Sequence, residues 1–243
     1  IYQRYAHRFV ESFQQNWKHV LPWTADLIVY AEADVVGFLS DIAIPFPYEL
    51  TAGLMEYESA VRRFPVLCGQ MGEGKYDIQR DATQARGLFI AADAVERFGG
   101  KVWWFDADVI THAPVTAAWL DSLLPDTALC CYLGRDGWSY SETGIVGYNS
   151  SHPRMPELIA HLRGFYQLGW IFTQQAWHDG IGFDFIRRQA FKNDPVLFVD
   201  LAQDREKVPE GCMHPLISSE LGACFDHLKG QRKGNASSWK EDL

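Results

Sequence analysis

Residues Val102-Trp103-Trp104-Phe105 form an unbroken apolar run that leads directly into Asp106-Ala107-Asp108. Four bulky apolar residues in a row fit a strand covered on both faces, as in the interior of an α/β sheet. The preceding segment agrees. Asp81 is placed to cap a helix running to about Phe98, with Leu88, Phe89, Ala92, Val95 and Phe98 on or near one face, and Gly99-Gly100 stops it. Residues two apart in an extended chain point the same way, so the carboxylates of Asp106 and Asp108 are expected side by side. Like charges at that spacing repel, and one would be protonated unless a cation lies between them. Hard oxygen donors suit Mg²⁺ or Mn²⁺. The competing reading is a strand-to-loop turn bearing two solvated acids.

The rest of the chain supplies the other layers. Tyr2, Tyr5, Ala6, Phe9, Val10, Phe13 and Trp17 recur at helical spacing, and Leu27–Tyr30 reads as a short buried strand. The pattern from Gly37 to Pro47 is irregular, a helix is expected around Glu49–Arg63, and the glycine-rich stretch Gly69–Tyr76 reads as a loop. Leu129–Leu133, Gly144–Tyr148 and Val196–Val199 read as strands, and Pro156–Gln167 and Phe183–Phe191 as helices. Strands alternating with helices predict an α/β fold with a mixed, mostly parallel sheet. No repeat or linker divides the 243 residues, so one domain is expected.

Composition bounds the function. The formal net charge of −9 repels polyanions at long range. An acidic protein that handles an anionic substrate then needs a cation as intermediary. The five cysteines, Cys68, Cys130, Cys131, Cys212 and Cys224, are odd in number and lack a CxxC pair. They argue against a disulfide framework or a zinc site and for a reducing, cytoplasmic setting. No apolar run approaches the roughly 20 residues of a membrane-spanning helix, and no signal-peptide pattern is visible. Asn235-Ala236-Ser237 is then a chance glycosylation sequon. Gly69, Gly74 and Lys75 have P-loop spacing, but Tyr76 stands where a Mg²⁺-binding Ser or Thr is needed.

A second motif lies near the C-terminus, where His227, Gly230 and Lys233 read H-x-x-G-x-x-K. His227 can ligate a metal, Gly230 lets backbone approach a phosphate, and Lys233 can neutralise it. A basic, solvated tail is the plainer reading. A DxD after an apolar strand is found in haloacid-dehalogenase phosphatases, where the first Asp is the nucleophile, and in GT-A glycosyltransferases, where it holds a divalent ion on a nucleotide-sugar diphosphate. The phosphatases also need a late acidic pair, and Val196–Asp200 offers Asp200 alone.

Taken together, the mid-chain DxD and the late H-x-x-G-x-x-K resemble glycosyltransferase family 8, the glycogenin-like retaining enzymes. The resemblance implies a GT-A fold, with a nucleotide-sugar-binding half over about residues 1–110 and an acceptor-binding half over about 111–243. It implies Asp106, Asp108 and His227 as ligands of Mn²⁺ or Mg²⁺, with Asp106, Gly230 and Lys233 at the UDP diphosphate. Gly234-Asn235 replaces the Pro-Trp that usually follows the Lys. Tyr2 is matched with an aromatic that stacks on uracil, the first strand of the fold falling before Ile1, and Arg86 with a donor-binding Arg. Ser141–Ile145 matches a small-residue strand along the donor sugar. Trp177-His178-Asp179 resembles the WHD of family 6, in which a Glu follows; here Gly180 follows, leaving Asp179 or Glu142 to supply any carboxylate near the sugar. The implied activity is hexosyl transfer, with retention, to an acceptor hydroxyl on a glycan or a hydroxymethylated DNA base. The alternatives are the phosphatase with Asp106 as nucleophile and a non-catalytic nucleotide-sugar-binding module.

Overall fold

The structure is a computed structural model and describes residues 2–17, 25–31, 43–135, 140–202 and 214–228. Helix α1 spans Tyr2–Asn16, where the helical spacing places it. Its last turn is anchored by aromatic packing: Trp17 stacks on Phe13 with ring centroids 4.2 Å apart and donates its indole N–H to Thr111 Oγ1 at 3.1 Å. Strand β1 (Ile28–Ala31) pairs in parallel with β2 (Ile44–Pro47), which gives order to the end of the stretch read as irregular. Helix α2 (Leu54–Arg62) is shorter than expected, because Gly53 at φ 75° breaks it from a 3-10 turn over Tyr48–Leu50.

Strands β3 (Cys68–Gln70) and β4 (Tyr76–Asp81) form an antiparallel hairpin, with Gly72, Glu73 and Gly74 at positive φ in its turn. The stretch read as a loop is therefore a hairpin end. Lys75 leads into β4, whereas a P-loop lysine opens a helix. Asp81 does act as a cap, accepting from Thr83 N–H at 3.0 Å, but the first turn is 3-10 (Ala82–Ala85) before helix α3 (Arg86–Phe98). Gly99 and Gly100, at φ 72° and 73°, end it.

Then follow β5 (Lys101–Phe105), β6 (Val109–Thr111), α4 (Ala117–Leu123), β7 (Cys130–Leu133), β8 (Glu142–Asn149), α5 (Met155–Gln167), α6 (Asp179–Gln189), β9 (Phe198–Asp200), α7 (Pro215–Ser218) and β10 (Phe225–His227). The central sheet has the order β5-β8-β7-β9, so strands from both halves of the chain build it. The fold is mixed α/β as expected, but the expectation of a mostly parallel sheet is corrected. Among the described strands, β5/β8, β7/β8, β3/β4 and β6/β10 pair antiparallel, against β1/β2 and β7/β9 parallel. The link from β7 to β8 is shorter than the crossover of about a dozen residues that a parallel pair requires.

Side-chain alternation explains the apolar runs. Cys130, Tyr132, Val146 and Tyr148 join Phe89, Leu162 and Phe183 in a core under α3, α5 and α6. Cys131, Leu133 and Ile145 join Leu120, Leu124 and Phe225 on the opposite face. Val102 and Trp104 pack against the first core, and Trp103 and Phe105 against the second. A strand covered on both faces has no solvent side to mark with polar residues. Among the described residues no helix is long and apolar enough to cross a membrane.

Candidate metal centre

Asp106 continues the β5/β8 ladder by one residue, its N–H donating to Gly144 O at 2.9 Å. The chain then turns: Val109 N–H returns to Asp106 O at 3.0 Å. Asp106 and Asp108 therefore occupy a turn after the strand, and their convergence comes from that turn and from β10. In the β6/β10 register His227 lies opposite Val109, and Leu228 N–H donates to Asp108 O at 2.9 Å. Main-chain hydrogen bonds thus bring a residue of the C-terminal motif onto the acidic turn.

The side chains complete the cluster. His227 Nε2 lies 2.7 Å from Asp108 Oδ1 and 3.8 Å from Asp106 Oδ2. Trp104 donates its indole N–H to Asp106 Oδ1 at 3.0 Å, fixing that carboxylate from the strand side. One ligand atom from each of Asp106, Asp108 and His227 lies within 4.8 Å of the others. Side-chain exposure rises from 1% at His227 through 12% at Asp108 to 32% at Asp106, so the cluster has a buried floor and opens on the Asp106 side. Two carboxylate oxygens and an imidazole nitrogen fit Mn²⁺, while Mg²⁺ favours oxygen ligands.

Beneath His227, β8 has no room for a side chain. A methyl at Gly144 would overlap His227 Cε1 and stand 2.6 Å from Nδ1, so the small residue read from the sequence is required by the imidazole. Glu142, on the same strand, is buried. Its Oε1 accepts Gly144 N–H at 3.1 Å and faces His227 Nδ1 at 3.4 Å, while its Oε2 lies 3.2 Å from His214 Nε2. Arg135 pairs with the same carboxylate. His214 belongs to neither sequence motif. The signal it carries is His-Pro at a helix start: its Nδ1 caps α7 by accepting Leu216 N–H at 3.4 Å.

The remaining candidates fall at varying distance from this cluster. Asp179 opens α6 and accepts Gly180 N–H at 2.8 Å. A methyl at Gly87 would stand 3.3 Å from the Trp104 ring and 3.7 Å from Asp179 Oδ2, so Asp179 lies close to the indole that holds Asp106. Burial pushes the Tyr166 hydroxyl well above its ordinary pKa, and the negative charge of Asp179 adds to the effect. A methyl at Gly180 would stand 2.6 Å from Ser141 O, so the Glu of the family 6 pattern has no room here. Trp177 donates its backbone N–H to Gln79 O at 2.7 Å and packs edge-on against Phe172, which ties it to the β4 hairpin.

Arg86, the first residue of α3, donates to Glu58 Oε1 at 2.7 Å and lies over the Tyr48 ring. Asp200 Oδ1 accepts Gly134 N–H at 2.8 Å and Ala202 N–H at 2.9 Å, a backbone-capping role. Tyr2 lies in α1, but its side chain, like Gly230 and Lys233, is outside the described residues. A cavity of about 460 Å³ lies among α1, β1, α3 and β5. It is lined by Phe13, Tyr30 and Trp103 and meets the acidic turn at Ala107, away from the converging ligand atoms.

No family model matches the chain, and no curated protein matches it. Among solved structures, a glycosyltransferase involved in the glycosylation of the major capsid of PBCV-1 is similar, at 16% identity and a TM-score of 0.45, over 81% of this chain and 94% of that one. A likeness of that size leaves the functional reading to the geometry of the site.

Proposed function

We propose that this chain is a metal-dependent glycosyltransferase of the GT-A type, moving a hexose from a UDP-linked sugar to an acceptor hydroxyl with retention. The observation that carries the reading is the meeting of Asp106, Asp108 and His227. The acidic turn and the C-terminal motif are far apart in sequence, and nothing in either motif alone requires them to touch. A shared ligand explains why the β6/β10 pairing delivers one to the other.

In this reading Asp106, Asp108 and His227 hold Mn²⁺ or Mg²⁺, which supplies Lewis-acid stabilisation of the departing nucleoside diphosphate. The protein's part is to hold the ligands ready. Trp104 fixes Asp106, and the β6/β10 register fixes Asp108 beside His227, so little reorganisation is left for the moment of reaction. Gly230 and Lys233 follow His227 closely in sequence and are assigned to the diphosphate: glycine for close approach of backbone, lysine for charge. Asp179, at the start of α6 beside Trp104, is the carboxylate assigned to the sugar, whether the route is front-side attack or a covalent intermediate. A net charge of −9 favours a glycan acceptor over a hydroxymethylated DNA base.

The test is release of UDP from UDP-hexoses with Mn²⁺, in EDTA, and in Asp108→Ala. Metal-dependent release that falls at least about 100-fold in the variant supports the reading. Full activity in EDTA or in the variant contradicts it, as does release of phosphate from simple phosphomonoesters with UDP-sugars ignored.

A further inference from the structure

Glu142 sits under the metal centre with both oxygens engaged by the chain. Oε2 meets the Arg135 guanidinium and lies 3.2 Å from His214 Nε2, and Oε1 accepts Gly144 N–H at 3.1 Å while facing His227 Nδ1 at 3.4 Å. A carboxylate so held is badly placed to reach a sugar and well placed to act on the imidazole. We infer that Glu142 is a positioning residue that sets the orientation of His227. The inference rests on the metal reading above.

An imidazole ligates an ion only when the ring is turned so that one nitrogen faces it. Here His227 Nε2 shares a hydrogen bond with Asp108 Oδ1 at 2.7 Å. The Glu142 carboxylate, 3.4 Å from Nδ1 on the other side of the ring, keeps Nε2 aimed at Asp106 and Asp108. The ring has little freedom to choose otherwise. A methyl at Gly144 would overlap Cε1 and fall 2.6 Å from Nδ1, so the imidazole lies directly on the β8 backbone.

Glu142 is itself held. His214 accepts Leu216 N–H on Nδ1 at 3.4 Å, which fixes the ring with its Nε2 3.2 Å from Glu142 Oε2. Orientation thus passes from the start of α7 through His214 and Glu142 to His227. Glu142, His214 and His227 also have ligand atoms within 4.8 Å of one another, the alternative being a metal site of their own. The Arg135 guanidinium on Glu142 opposes a second cation there.

The experiment is Mn²⁺ titration by EPR, with nitrogen hyperfine coupling recorded, on the wild type, Glu142→Gln, His227→Gln and the double variant. Glu142→Gln is expected to weaken Mn²⁺ about 10-fold in the native background. It is expected to change affinity by less than about twofold once His227 is replaced, because a residue acting through His227 has nothing left to act on. His214→Gln, which loosens the same carboxylate, is expected to repeat the effect at smaller size, and it carries the test if Glu142→Gln does not fold. Unchanged affinity in Glu142→Gln, or an undiminished effect in the His227→Gln background, overturns the inference and leaves the metal reading standing. A second Mn²⁺ in the wild type that disappears in Glu142→Gln overturns it too, by making Glu142 a ligand. A wild type that binds no Mn²⁺ and shows no nitrogen coupling removes the metal reading itself.

Discussion

Glu58 and the Asp106–Asp108 pair are both acids drawn out of bulk water, yet their charge is met differently. The Glu58 carboxylate receives two guanidiniums, Arg86 at 2.7 Å and Arg62 at 3.1 Å, so its balance is made by folding. Asp106 and Asp108 turn toward one imidazole, on a cluster that opens to solvent at Asp106. An arginine–carboxylate pair is an arrangement for stability. Two carboxylates around a histidine form one that a cation completes.

Substitution should separate the two regions. Asp108→Ala is expected to abolish metal-dependent turnover, by about 100-fold or more, and to change the thermal midpoint little, because losing its hydrogen bond with His227 is offset by removing a carboxylate that repels Asp106. Arg86→Ala should do the reverse to the fold. It leaves Glu58 buried with Arg62 alone, and chemical denaturation should show a loss of about 2 kcal/mol, below the usual cost of breaking a fully buried pair. Mn²⁺ affinity should stay unchanged in that variant. If Asp108→Ala costs more stability than Arg86→Ala, the distinction between the regions fails.

Two glycines sharpen the same contrast. Gly144→Ala forces a methyl against His227 and is expected to weaken Mn²⁺ about 10-fold in a titration. A methyl at Gly100 would meet nothing within 4 Å, but the residue sits at φ 73°. Gly100→Ala should therefore cost about 1 kcal/mol through backbone strain and leave Mn²⁺ binding alone.

Most of the frame was legible in the sequence. The run Val102–Phe105, the helical spacing of α1 and the glycines after α3 each carry a local signal, and each element lies where that signal puts it. Strand direction was not legible, because it depends on which partner each strand meets. Strand β10 is only three residues long and owes its existence to pairing with β6, so Phe225-Asp226-His227 carries no period of its own. The turn at Asp106–Asp108 was legible only as one of two readings, because strand alternation alone predicts continued strand. Glu142 is legible as a carboxylate near the small-residue strand, but its partners Arg135, His214 and His227 come from three other segments. Residue types and their spacing were readable; which of them touch was decided by long-range pairing.

The smallest effect expected concerns an acid on the structural side of the comparison. Burial raises the pKa of Asp93, but hydrogen bonds from Arg97 and Tyr30 outweigh it and hold the carboxyl below its ordinary value. A depressed folded-state pKa contributes stability above the unfolded value of about 4, and that contribution is lost as pH falls through the folded value. Denaturation curves between neutral and acid pH should show Asp93→Asn losing less stability below about pH 4 than the wild type does. Equal slopes would remove Asp93 from the acid response.

The central claim is that a residue of the C-terminal motif and the acidic turn hold one ion together. Calorimetric titration of Mn²⁺ into the wild type, Asp106→Ala, Asp108→Ala and His227→Ala tests it most directly. The account predicts a single Mn²⁺ site in the wild type, weakened by about 10-fold or more in each of the three variants. A His227→Ala protein that binds Mn²⁺ as the wild type does would contradict it.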